Sequence, residues 1–250
     1  MTSRPNVRSY QHVEQRLYRG SVVGSSANGR RIQGMQDAKA HWEHVYQTKR
    51  VDEVSWFQRQ ATVSLELIRR AAPEPTARII DVGGGASTLV DGLLNAGYSN
   101  VTVLDISAKA LGEARTRLDE AASRVHWMEA DVLTAALPES QFDLWHDRAV
   151  FHFLTQQNDR AAYINQVRRA VRPGGHVLVA TFAEDGPTSC SGLSVARYSA
   201  ASLHETFGSE FQFVASVREE HRTPGGARQS FVYCLCRLGS GLFARPEAGG

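Results

Sequence analysis

The chain has 250 residues, 42% of them apolar and 22% charged, a balance that suits one elaborated domain around a single buried core. Its 28 basic and 26 acidic residues leave a formal charge of +2, which makes no general case for nucleic-acid binding, and no apolar run reaches the roughly 18 residues that span a bilayer. Three cysteines, Cys190, Cys234 and Cys236, are too few for a disulfide framework and fit a reducing compartment. With no secretory apolar segment, the cytoplasm is the expected location.

In chain order, residues 1–36 carry six arginines against one acid, Glu14, among Ser, Gly and Asn. Without an amphipathic pattern they are expected to form a disordered arm. Residues 37–48 predict a helix with Trp42, Val45 and Tyr46 on one stripe, and residues 60–71 a second, stopped by Pro73 and Pro75. An aromatic turn, Asp52 to Phe57, joins them. Strands are predicted over 78–82, 101–105, 125–129, 142–146 and 176–182, with helices over 87–96, 108–121 and 158–171. That alternation implies parallel βαβ units with right-handed crossovers. Two more strands, 211–219 and 229–238, flank the turn Thr223-Pro-Gly-Gly226 and read as a hairpin, so the last strand runs antiparallel. Residues 239–250, rich in Gly and Ala, are expected to fray.

The stretch Arg78 to Thr88 carries the most chemistry. A strand ends at Asp81, and Gly83 and Gly85 follow at D-x-G-x-G spacing before a helix begins. Glycine allows a sharp turn and a close backbone approach to a ligand. A dinucleotide fingerprint would place a third glycine where Thr88 stands, and Asp81 would repel a pyrophosphate while suiting a cationic amino-acid group. S-adenosylmethionine (SAM) therefore fits better than NAD. Ligands of doubly wound sheets lie beyond the C-terminal strand ends. There the second strand offers Asp105 for a ribose diol, with Ile106 to pack on a base. The third offers Asp131 for an adenine amino group and the Val132 N–H for its ring.

These motifs and the closing hairpin, over roughly residues 37–237, resemble the class I SAM-dependent methyltransferases. The resemblance implies an α/β fold: a doubly wound seven-stranded sheet, mostly parallel, with the antiparallel last strand inserted between the fifth and sixth and helices on both faces. The domain would span 37–238, with 37–72 as a helical lid. SAM would be the cofactor and S-adenosylhomocysteine (SAH) the product. Gly83 and Gly85 would hold the methionine portion, Asp105 the ribose, and Asp131 and Val132 the adenine. No metal is expected.

The end of the fourth strand, Phe142 to His152, would face the departing methyl group. It lacks the Asn/Asp-Pro-Pro-aromatic motif of DNA amino-methyltransferases and the Pro-Cys of cytosine C5 enzymes. Asp147-Arg148 and Trp56-Phe57 resemble the group that contains protein-lysine methyltransferases. His146 or Asp147 is a candidate base; alternatively Asp147 binds the SAM amino group and His146 only packs. Arg148 is expected to hold a carboxylate or cap a helix.

Two acceptors are in view. One is a small nucleophile, such as a thiol or chalcogen species, taken in under residues 184–198. Cys190, His152 and His221 would then form a soft-ligand pocket near Tyr198 and Gln229, in a region resembling small bacterial methyltransferases. The other is a protein lysine passing Trp56 and Phe57. A non-catalytic SAM-binding partner and an NAD-dependent oxidoreductase are the rival classes.

Overall fold

A computed structural model describes residues 27–240, with side chains from Asp37 onward. The expected disordered arm up to residue 26 and the expected frayed tail beyond residue 240 lie outside the described residues. The first helix, α1, runs Ala27–Thr48 and so begins ten residues before the predicted start. The apolar stripe marks only the turns that pack, and once those turns are formed each further residue adds a hydrogen bond at little cost. Residues 27–36 are therefore helix, which corrects their assignment to the arm.

Helix α2 (Thr62–Ala71) leads to β1 (Arg78–Val82), α3 (Leu89–Asn95), β2 (Asn100–Asp105) and α4 (Ala108–Leu118). Strand β3 (Val125–Glu129), β4 (Phe142–Arg148), α5 (Gln157–Ala170) and β5 (Val171–Phe182) follow. A two-strand flap, β6 (Ser189–Cys190) and β7 (Leu193–Ser194), and helix α6 (Ala200–Phe207) precede β8 (Phe211–Arg222) and β9 (Arg228–Leu238). The flap and α6 have no counterpart in the predicted elements. Two-residue strands carry no readable alternation. Helix α6 spans only eight residues, although Ser199 and Ser202 form a reciprocal cap at its start.

The seven long strands form one sheet in the order β3-β2-β1-β4-β5-β9-β8. Strands β1 to β5 pair in parallel, and β9 is antiparallel to both β5 and β8. The order in which strands are added therefore reverses between β1 and β4, where the first half of the sheet meets the second, and the crevice beyond their C-terminal ends is the natural ligand position.

Alternation of side chains along the strands divides the core into two layers. Ile80, Val82 and Trp145 pack with Tyr163 and Val167 of α5 and Phe207 of α6 on one face. Ile79, Leu144 and Leu178 pack with Ile68 of α2 and Leu93 of α3 on the other. No helix among the described residues is long and apolar enough to cross a membrane.

Candidate functional site

The glycine turn after β1 is fastened by two short bonds: the Gly83 N–H donates to Leu104 O at 2.7 Å and the Ser87 N–H to Gly84 O at 2.7 Å. Gly85 has φ of +36°, and a Cβ there would stand 2.7 Å from Asp105 Oδ2. A Cβ on Gly84 would stand 2.6 Å from Asp81 Oδ2. Both positions keep space open around a carboxylate.

The turn opens on a cavity of about 1050 Å³. Gly83, Asp105, Ile106, Asp131 and Val132 line it from the strand ends, Trp42 and Tyr46 from α1, and Phe153, Cys190 and Leu193 from the loops beyond β4 and β5. Its volume slightly exceeds the roughly 300–1,000 Å³ usual for one small ligand, leaving room for two molecules. A narrower pocket of about 50 Å³ adjoins it, lined by Asp81, Phe57, Ser64 and His146, with Gly83, Trp56 and Arg148 common to both.

Asp105 is buried, and its Oδ1 accepts the Ser107 N–H at 2.8 Å. Burial pushes its carboxyl up to about 7; that bond opposes the shift, and the Asp81 charge adds to it. Asp131 Oδ1 accepts the Leu133 N–H at 2.8 Å. Asp81 sits beside His146 in the β1–β4 register and is only 2% exposed. Its Oδ1 takes a 2.7 Å hydrogen bond from His146 Nδ1, while Oδ2 is buried without a partner. On the far side of the ring, Nε2 lies 2.9 Å from Ser64 Oγ.

His146 and Asp147, the alternative candidates for a base, do not share a face. Successive side chains of a strand point oppositely, so His146 turns to α2 and Asp147 to α5. The Asp147 carboxylate is fully used: Oδ1 accepts the Val150 N–H at 2.8 Å, and Oδ2 accepts the Phe151 N–H at 3.0 Å and the Tyr163 hydroxyl at 2.6 Å. It braces the loop after β4 and lines neither pocket. A role as base or as ligand of an amino group is therefore withdrawn. His146 likewise has both nitrogens engaged and is no free base.

Arg148, back on the His146 face, stands where the two pockets meet. Its Nε donates to the Tyr233 hydroxyl at 3.0 Å and Nη1 to Trp56 O at 3.3 Å; Nη2 reaches Glu219 at 3.4 Å, and the guanidinium lies 4.0 Å above the Phe231 ring. Tyr233 donates to Glu219 at 2.8 Å, and Gln58 Nε2 donates to its other oxygen at 2.7 Å.

Of the expected acceptor residues, only Cys190 lines the cavity. His152 is buried behind it, between Phe153 and Phe182, with its ionisation pushed down to about 3 by burial. Tyr198 packs on Phe151. His221 Nε2 donates to Ser55 O at 2.8 Å and steadies the Trp56 turn, and Gln229 pairs with it across the β8–β9 hairpin. Cys190 and His221 both bear on Ser55, yet only Cys190 opens on the cavity, because sequence position on a loop does not say which way the loop turns. Among the described residues no three His, Cys, Asp or Glu come together to hold a metal.

Across from the strand ends, the cavity is walled by an aromatic slot. Trp42 meets Trp56 edge-on at 5.7 Å and Phe153 at 5.2 Å, and Trp56 Nε1 donates to the Tyr46 hydroxyl at 3.3 Å. The Trp42 and Tyr46 stripe was readable as an apolar face but not as a cavity wall. Ser64, Glu219 and Tyr233 left no local signal; each reaches the site only through the tertiary fold. Helix α1 is held over the cavity by an ion pair from Lys39 to Glu129 and by Glu43, whose carboxylate accepts the Ala108 N–H at 2.6 Å.

Residues 79–175 match a family model described as a methyltransferase domain. An uncharacterized methyltransferase of Mycobacterium tuberculosis is 35% identical over 120 residues, 46% of this chain and 56% of that protein. The ubiquinone/menaquinone biosynthesis C-methyltransferase of Roseobacter denitrificans is 28% identical over 116 residues, 45% of each chain. The chain thus spans about half the length of the curated relatives it matches. Among solved structures, the 1,6-didemethyltoxoflavin-N1-methyltransferase of Burkholderia thailandensis, determined with 1,6-didemethyltoxoflavin and SAH, superposes with a TM-score of 0.67 at 18% identity, covering 84% of this chain and 90% of that one.

Proposed function

We infer that this chain, a class I SAM-dependent methyltransferase by its domain and its fold, transfers the SAM methyl group to a small acceptor held in the cavity beneath α1. The observation that carries this reading is the continuity of one cavity from the acidic strand ends to the aromatic slot, with Arg148 at the junction with the narrower pocket. The residues fit SAM: the unpartnered Asp81 Oδ2 suits an α-ammonium, Asp105 a ribose diol, and Asp131 with the Val132 N–H an adenine. When bound, SAM supplies an electrophilic methyl on a sulfonium. The chain aligns the acceptor and excludes water, through Trp42, Trp56 and Phe153.

The acceptor is best read as an anionic nucleophile, a thiolate or phenolate. His146 and Asp147 have every acceptor atom engaged, so neither is placed to remove a proton. With no base free, an acceptor that is already ionised fits better than the protonated amine of a lysine, and Arg148, paired with Glu219, fixes the wall beside it. Relatives named for quinone biosynthesis and for didemethyltoxoflavin support a small-molecule acceptor over a protein. Incubation with methyl-labelled SAM and a cell extract tests this reading. Label should enter a low-molecular-weight fraction whose precursor an anion-exchange resin removes; label retained on protein would overturn it in favour of lysine.

A further inference from the structure

Asp81, His146 and Ser64 form a buried line, with hydrogen bonds of 2.7 and 2.9 Å and exposures of 2%, 2% and 0%. The connectivity is that of a serine-histidine-carboxylate triad. Its open end differs, however. Ser64 is fully buried and bonded to the ring, whereas the atom without a partner is Asp81 Oδ2. A Cβ on Gly84 would stand 2.6 Å from that oxygen, so the glycine leaves it uncrowded on that side.

We propose that His146, locked by Ser64, is a positioning residue that aims Asp81 Oδ2 at the α-ammonium of the cofactor's amino-acid end. This rests on the assignment of SAM as cofactor. A carboxylate in a site this dry has few rotamers that satisfy even one oxygen. An ionised Asp81 can only accept, so the ring presents its Nδ1 proton to Oδ1 and ties it down, while Ser64 holds the far side of the ring at Nε2. Oδ2 is then the oxygen left for a donor arriving through the small pocket that Asp81 lines. Two neighbouring strands and α2 supply the three groups, so the aim is set by the sheet register and not by a loop.

Calorimetric titration tests this with two ligands: SAH, which carries the amino-acid end, and 5′-methylthioadenosine, which lacks it. His146→Leu should weaken SAH about tenfold or more and leave methylthioadenosine unchanged. His146→Asn, whose amide nitrogen falls near the position of Nδ1, should recover most of the SAH affinity. Equal loss for both ligands, no loss for SAH, or failure of the Asn variant to recover would each overturn the proposal. If the unmodified protein binds methylthioadenosine but gains nothing from the amino-acid end of SAH, the aiming role fails while the nucleoside site stands. If it binds neither, the cofactor assignment itself falls.

Discussion

Asp105 shows how burial sets a working condition for the site. Its carboxyl, raised to about 7 chiefly by desolvation, must be ionised to accept both hydroxyls of a ribose. Affinity for the nucleoside is then fully present above pH 7 and declines as pH falls through it. About a tenth of the protein is competent at pH 6 and about nine tenths at pH 8, so SAH should bind roughly tenfold more weakly at the lower pH. Asp105→Asn should flatten that profile and weaken binding by about 1–3 kcal/mol. A flat profile in the unmodified protein, read by calorimetry, would contradict the ribose assignment. Asp147 makes the opposite kind of demand. Burial raises it to about 6, above its unfolded value, so the native state holds the proton more tightly and stability declines as pH rises from about 4 through 6. Asp147→Ala would still cost stability at neutral pH, because it strands two backbone N–H groups and the Tyr163 hydroxyl. A loss on the order of 3 kcal/mol in urea unfolding is expected. An unchanged midpoint would mean that Asp147 does not brace the loop.

At the scale of elements, α1 acts as a cover held by two polar anchors, Lys39 to Glu129 and Glu43 to the start of α4. The first is half exposed and worth about 0.2–1 kcal/mol; the second, a carboxylate at a helix N-terminus, is worth about 0.3–1 kcal/mol. The apolar stripe packs as well, through buried Val45 and the Trp42 and Tyr46 contacts, so the anchors tune rather than alone decide how readily the cover opens. Lys39→Ala with Glu43→Ala should speed SAH dissociation about three- to tenfold in stopped flow while leaving the unfolding midpoint of the sheet in place. An unchanged rate would show that α1 is not the gate. The stripe Trp42, Val45, Tyr46 made residues 37–48 of this helix legible, since a 3.6-residue period survives without knowledge of the partner. The same logic failed at β4. His146, Asp147 and Arg148 drew attention as a cluster, yet a period of two sends the middle one to the opposite layer. Helix α6 and the β6–β7 flap were too short for any period to show.

For the molecule as a whole, the cofactor side was largely legible and the acceptor side was not. Asp81, the glycines, Asp105 and Asp131 each sit at the C-terminal end of a parallel strand, so finding the strands also found the crevice. The glycine spacing and the closing β8–β9 hairpin carried the fold class. The acceptor end draws Arg148, Glu219 and Tyr233 together across 85 residues of sequence and depends on which way the loops after β4 and β5 turn. His152, His221 and Cys190 were grouped for their chemistry, and of the three only Cys190 lines the cavity. The central claim, that the crevice between β1 and β4 is a SAM site, is tested most directly by calorimetric titration with SAH and with NAD. One SAH should bind per chain, with Asp105→Ala weakening it and NAD giving no heat. Heat from NAD alone would contradict the account.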